Sequence, residues 1–306
     1  MSEIIVEVKN LTKQYGRQMA LDGVSFQIRR GSIVGLIGPN GAGKTTIMKI
    51  MGGLAFPTGG ELEMYGVTDE KGLNHARTRM SFMIETPYEK EKMTARENLE
   101  KQRLQKGIPD KNRVDEVLKI VNLQNTGKKV VKNFSLGMRQ RLGLANALMG
   151  KPEFMVLDEP INGLDPQGIA EVRKTLERLR QDKGITIMIS SHILDELGKL
   201  ADSYGIIHEG RLLDEFTLDE LSNRCGQYVI AKTSDNDKAV SIIRQLGFNS
   251  IGVDPTGNIR IDNAIERSEE ITKSLVLGGV GVKEIFIKKT TLEEYYLSVT
   301  GGNHNG

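Results

Sequence analysis

Hydrophobic positions along this chain change their period several times, and each change predicts a change of element. Ile4, Val6 and Val8 alternate with polar residues, and Met1 to Lys9 reads as a strand. Ile33-Val34-Gly35-Leu36-Ile37 is a continuous apolar run that feeds a glycine-rich loop, so residues 1 to about 37 form several strands, and a helix starts near Lys44. From about residue 85 to 145 the character is helical. Thr94-Ala-Arg-Glu97 is a capping box, and Val114, Val117, Leu118 and Val121 recur at helical spacing. Phe154 to Leu157 reads as a strand, Ile169, Val172, Leu176 and Leu179 share one face of a helix, and Ile185 to Ile189 is apolar again. Strand, helix, strand implies a parallel α/β sheet.

The pattern breaks after Asp214. From Gln227 onward the order is strand, helix, strand, strand, helix, strand, with a last helix over Leu292 to Val299, which predicts a small α+β domain of βαββαβ type. The expected domains are therefore 1–225, with a helical subdomain over about 86–145, and 226–306. The tail 301–306 reads as frayed.

Composition narrows the function classes. The chain has 306 residues, enough for two domains, with 38% apolar and 27% charged residues as in folded globular proteins. Its 42 Lys and Arg against 40 Asp and Glu leave a net charge of +2, without the basic excess of a nucleic-acid binder. One cysteine, Cys225, makes no internal disulfide and no zinc site, which suits a reducing cytosol. The start lacks the pattern of a secretory signal, and no stretch reaches the roughly 18 apolar residues of a membrane span. Work on a membrane is expected to pass through a partner.

Two motifs carry chemistry. Gly38-Pro-Asn40-Gly41-Ala42-Gly43-Lys44-Thr45, continued by Thr46, fits G-x-x-x-x-G-K-[ST] between an apolar strand and a helix. Its glycines let backbone N–H groups wrap phosphate oxygens, Lys44 neutralises the β- and γ-phosphates of ATP, and Thr45 offers a hydroxyl to Mg²⁺. Phe154-Met-Val-Leu-Asp158-Glu159 ends a strand in two acids, at the end of a sheet where ligands bind. Asp158 is the expected Mg²⁺ partner, directly or through another ligand, and Glu159 the base that polarises the attacking water. Two acids in a turn are common by themselves; the cradle upstream gives them this meaning.

With these motifs in place, residues 3 to 220 resemble an ABC-type ATPase, a P-loop NTPase fold with a helical subdomain. The resemblance implies roles for further residues. Tyr15 stacks on adenine, Phe134-Ser135-Leu136-Gly137-Met138 is the signature segment, Gly163-Leu164-Asp165-Pro166 is the D-loop, and Ser190-Ser191-His192 carries the switch histidine. In the family Ser135 and Gly137 meet the ATP held by a second subunit, so a head-to-tail homodimer encloses two ATP molecules. His192 then contacts the γ-phosphate and Asp165 links the two sites.

Three departures mark this chain. Glu85, in Phe82-Met83-Ile84-Glu85-Thr86-Pro87, stands where most members carry the glutamine that senses Mg²⁺ and water, and it counts here as a catalytic and metal-binding candidate. Leu136 and Met138 replace the usual signature glycine and glutamine, and Ile161 stands where threonine is common. Glu85, the string S-L-G-M-R-Q-R-L-G and the ending Leu292-Glu-Glu-Tyr-Tyr-Leu-Ser-Val-Thr-Gly-Gly302 resemble the ATP-binding subunits of lantibiotic self-protection and bacitracin-resistance transporters.

That likeness implies a cytoplasmic ATP hydrolase, peripheral to the membrane, that powers a separate permease and expels antimicrobial peptides. The permease docks beside Glu85 and residues 88–105, where Lys90, Lys92 and Arg96 read equally as a solvated face. Two alternatives stay open: the ATPase of a drug-sensing complex, and a soluble ABC ATPase acting on nucleic acid or ribosomes. No nucleic acid is expected, because the chain has one ATPase unit and no coiled-coil or zinc insertion.

Overall fold

Strands β1 (Ile4–Tyr15) and β2 (Gln18–Arg29) form an antiparallel hairpin closed by Gly16-Arg17, and β4 (Gly59–Met64) pairs with the other edge of β1. β1 outruns the expected Met1 to Lys9 because register shifts between Val8 and Leu11 let it bend and stay paired. The computed structural model describes residues 3–84, 90–217, 219–221, 227–254 and 256–301. Glu85 and Cys225 therefore lie outside the described residues.

A second sheet supplies the scaffold. β3 (Ile33–Ile37), β5 (Met80–Met83), β6 (Phe154–Leu157), β7 (Thr186–Ser191), β8 (Ser203–His208) and β9 (Arg211–Thr217) lie in the order β5-β6-β7-β3-β8-β9. The pairs β5/β6, β6/β7, β7/β3 and β3/β8 are parallel. Every residue of β3, β6 and β7 is buried, the expected state of strands covered on both faces, and it explains their unbroken apolar runs. β9 continues past Asp214, where the sequence pattern broke. It is an edge strand, and charges such as Asp214 and Glu215 are tolerated there and discourage further pairing.

The cradle helix α1 (Lys44–Met51) follows β3, and α2 (Glu70–Arg77) follows β4. Three helices form the helical segment: α3 (Ala95–Gln105), α4 (Arg113–Ile120) and α5 (Leu136–Leu148). Thr94 and Glu97 cap α3 reciprocally, as the sequence predicts. Val114, Val117, Leu118 and Val121 are buried. Arg113 is buried with them and donates to the Leu148 and Met149 carbonyls, so a cation sits at the carboxyl end of α5, where the helix dipole favours it. Arg96 pairs with Asp115 of α4 on the exposed surface of this segment.

Helix α6 (Pro166–Lys183) buries Val172, Leu176 and Leu179 and leaves Ile169 half-buried; α7 (Leu194–Leu197) is a single turn. At the base of the sheet, Glu153 accepts from Arg79 at 2.6 and 2.8 Å and from Arg30 at 2.9 Å. Arg30 follows β2 and Glu153 precedes β6, so this ion cluster fastens the antiparallel sheet to the parallel one.

Chain contacts divide the molecule into two units, Met1–Phe216 and Thr217–Gly306. In the second, β10 (Gln227–Thr233), β11 (Ile251–Val253), β12 (Ile259–Asp262) and β13 (Val282–Lys289) form an antiparallel sheet in the order β11-β12-β10-β13. Helices Asn236–Gln245 and Ser268–Leu277 give the βαββαβ succession, and Leu292–Val299 follows. Its core joins Val229, Ala231, Ile243, Ile261, Ile271 and Leu275.

Candidate active site

Three neighbouring strands, β6, β7 and β3, end side by side, and the loops leaving them build the site. The loop after β3 is the cradle. Gly41 and Gly43 adopt φ of +83° and +113°, conformations that side chains disfavour. A Cβ on Gly43 would meet the Ala20 carbonyl at 2.8 Å, and one on Gly38 would meet the Ile207 carbonyl at 2.3 Å. The glycines are therefore required both by the turn and by the backbone packed behind it.

Lys44 is buried and donates to the Gly38 and Pro39 carbonyls at 2.6 and 3.2 Å, which curls the loop around its own ammonium group. A cavity of about 250 Å³ opens over the loop. Pro39 to Thr46 line it, with Tyr15, Gln18, Asp158 and Glu159. Tyr15 is 47% exposed at the rim of the cavity, with the Lys13 ammonium 4.7 Å from its ring centroid.

Asp158 and Glu159 leave β6 in different environments. Asp158 accepts from the Thr45 hydroxyl through Oδ2 at 2.7 Å and from the Ser190 hydroxyl through Oδ1 at 2.6 Å. Because Thr45 donates its proton to Asp158, the lone pairs of its oxygen are left for a cation. Glu159 adopts φ of +47°, a strained region for a residue with a side chain and one that recurs at functional sites. Its Oε2 lies 2.8 Å from His192 Nδ1, and its Oε1, buried and without a hydrogen bond, lies 3.4 Å from Lys44 Nζ. A carboxylate with one oxygen held and the other unsatisfied beside a phosphate cradle is placed to accept a proton from water.

The donor set also bears on the metal. Among the described residues no cluster of three His, Cys, Asp or Glu side chains forms a metal cage. One hydroxyl and one carboxylate beside a phosphate site fit Mg²⁺, which takes few protein ligands and keeps water and phosphate oxygens.

Sequence comparison places this geometry. A family profile described as ABC transporter matches residues 21–162. Over 303 residues the chain is 41% identical to the bacitracin transport ATP-binding protein BcrA of Bacillus licheniformis, with 99% of each chain covered. This chain belongs to the ABC transporter family.

Other ABC relatives agree. The lantibiotic transport ATP-binding protein SrtF of Streptococcus pyogenes is 40% identical over 219 residues, covering 72% of this chain and 93% of its own. A solved ATP-binding subunit of an ABC transporter superposes with a TM-score of 0.63 at 31% identity, covering 72% of this chain and 92% of its own. A solved dimeric ATP-binding cassette, bound to ADP and Pi after hydrolysis, gives 0.63 at 26% identity, covering 70% and 99%. As an ABC ATP-binding subunit the chain is an ATPase. No helix among the described residues is long and apolar enough to cross a membrane.

The remaining ABC motifs stand apart from the cavity. Ser135 caps α5, accepting from the Met138 N–H at 3.3 Å, with Gly137 in the first turn. Asp165 caps α6, accepting from the Gly168 N–H at 3.0 Å, and Pro166 opens that helix. The two caps adjoin: a Cβ on Gly137 would lie 3.8 Å from Leu164, and one on Gly163 would lie 3.0 Å from Leu136. None of Ser135, Gly137 and Asp165 lines the cavity of its own chain.

Sequence reasoning assigned no role to two supports of this ABC site. One is Ser190, the hydroxyl between the two acids. The other is the β8–β9 turn, where Glu209 and Gly210 both have positive φ. Gly210 donates to the Ala42 carbonyl at 2.9 Å and accepts from the Asp22 N–H at 2.8 Å, which braces the cradle from behind. The signal, a glycine after an apolar strand, marks a turn and gives no hint of what the turn touches.

Proposed function

We propose that this chain is the ATP-hydrolysing subunit of a transporter that expels antimicrobial peptides through a separate membrane permease. The observation that carries hydrolysis is the Glu159 carboxylate, fixed by His192 on one oxygen and without a hydrogen bond on the other, which faces Lys44. Support for the substrate class comes from the likeness to the bacitracin transport protein along 99% of both chains, the second unit included.

In this reading the N–H groups of residues 41–45 and Lys44 bind the ATP phosphates, and Tyr15 stacks on the adenine. Thr45, with Asp158 behind it, would hold Mg²⁺, which would supply charge neutralisation for the phosphates. Glu159 takes a proton from the attacking water, and His192 orients Glu159 and contacts the γ-phosphate. Ser135 and Gly137 of one chain meet the triphosphate in the cradle of a second copy, and Asp165 links the two sites. Their position outside their own cavity agrees with this use. The closed homodimer forms on ATP binding and reopens on hydrolysis, which requires a higher affinity for ATP in the closed state.

Glu85 senses Mg²⁺ and water at the permease contact, so Glu85→Gln retains ATPase activity and alters coupling. Residues 1–225 act as the ATPase domain and residues 226–306 as an accessory domain. The complex sits at the cytoplasmic face of the membrane.

The test is resistance. Co-expression with its permease in a sensitive host raises the inhibitory concentration of bacitracin or a lantibiotic, and Glu159→Gln abolishes the gain. Resistance that persists with Glu159→Gln overturns the role of hydrolysis. Reporter induction without resistance points to sensing instead, and recovery only with ribosomes or DNA refutes transport.

A further inference from the structure

Ser190 is the penultimate residue of β7, one strand away from the acids, and it is 0% exposed. The hydroxyl uses both of its capacities on the catalytic strand. It donates to Asp158 Oδ1 at 2.6 Å and accepts from the Glu159 backbone N–H at 2.9 Å. One oxygen thus touches the side chain of one acid and the backbone of the other. Asp158 has its second oxygen on Thr45, and Glu159 sits in the left-handed region at φ +47°.

We propose that Ser190 is a positioning residue for ATP hydrolysis, setting the carboxylate of Asp158 toward Thr45 and holding the Glu159 backbone in the conformation that aims its carboxylate. The inference rests on the reading above, in which these two acids serve Mg²⁺ and water. The first half of the argument is directional. With Oδ1 engaged by Ser190, Asp158 cannot rotate without breaking a charge-assisted bond, so Oδ2 stays on Thr45 and the Thr45 lone pairs stay turned outward. The second half concerns strain. A glutamate at positive φ persists only where its surroundings over-determine it, and the Ser190 bond to its N–H is one such constraint. His192, two residues on, holds the other end of Glu159 through Oε2. The end of β7 therefore grips Glu159 at its backbone and at its carboxylate.

Removing the hydroxyl leaves a buried carboxylate oxygen and a buried N–H without this partner, while the cradle and Lys44 are untouched. The experiment compares wild type, Ser190→Ala and Ser190→Thr in the full chain. Steady-state ATPase rates, binding of a non-hydrolysable ATP analogue with and without Mg²⁺, and melting temperatures are measured.

Ser190→Ala is expected to lower kcat by ~10-fold or more, in the range of lost outer ligands. Its analogue affinity without Mg²⁺ stays at the wild-type level, and the gain on adding Mg²⁺ shrinks. Ser190→Thr, which keeps the hydroxyl, recovers both. A kcat and Mg²⁺ response equal to wild type in Ser190→Ala overturns the proposal. So does an equal loss of affinity with and without Mg²⁺, accompanied by a lower melting temperature and no recovery in Ser190→Thr, since that pattern belongs to packing alone. A wild-type protein that binds Mg-ATP without hydrolysing it refutes the underlying reading instead.

Discussion

Glu159 and His192 meet across the ends of neighbouring strands β6 and β7, with Oε2 2.8 Å from Nδ1. The contact fixes one carboxylate oxygen and leaves the other facing Lys44 at 3.4 Å, so a single side chain is tied to both the cradle and the switch segment.

Glu159→Gln keeps the shape and removes the proton acceptor. Turnover is expected to fall by at least ~10²-fold while ATP binding is retained. Light scattering with ATP present should find a long-lived dimer. Unchanged steady-state turnover removes Glu159 from the role of base.

Gly137→Ala separates dimerisation from stability. A Cβ there makes only ordinary contact with Leu164 at 3.8 Å, and alanine favours a helix over glycine by up to about 1 kcal/mol. The melting temperature should therefore hold or rise, while ATP-dependent dimerisation and ATPase activity fall. Retained activity in this variant argues against Gly137 facing a second copy's triphosphate.

Gly38→Ala acts differently, because its Cβ would lie 2.3 Å from the Ile207 carbonyl and backbone must move. Overpacking of this kind costs about 1–3 kcal/mol, and the cradle shifts with it. Urea denaturation should report the lost stability and nucleotide titration a weaker affinity. A variant with native stability would mean that β8 yields freely.

Acid stability tests the base of the sheet. Hydrogen bonds from Arg79 and then Arg30 hold the Glu153 carboxyl at about 2, below the ordinary value of 4.5. A value depressed on folding gives stability that is present above pH 4.5 and is lost as pH falls toward 2. Thermal melts across that window should decline more steeply for wild type than for Glu153→Gln. Because Glu153 is partly exposed, added salt should narrow the gap. Parallel curves would show that the ion cluster contributes nothing in this range.

Much of this molecule is local and was legible in the chain. The cradle announces itself because a loop that wraps phosphate needs glycines at fixed offsets, a lysine and a hydroxyl before a helix, and Gly38 to Thr45 supply them contiguously. The α3 capping box and the apolar face of α4 are likewise properties of neighbouring residues, as is the βαββαβ succession after Gln227. β9 was missed past Asp214 because an edge strand tolerates charges that alternation treats as a break.

What tertiary structure alone decided is adjacency. The order β6-β7-β3 sets three distant loops against one another, and only then do Ser190, Asp158, Glu159, His192 and Thr45 share hydrogen bonds. Ser190 carries no signal in one dimension, since a serine at a strand end is ordinary; its role arises from the acids that end the next strand. The brace from Gly210 to Ala42 has the same origin. Sequence period specifies which face of each element is buried, whereas the sheet order that puts two strand ends within reach of one hydroxyl is a long-range outcome of packing the whole core.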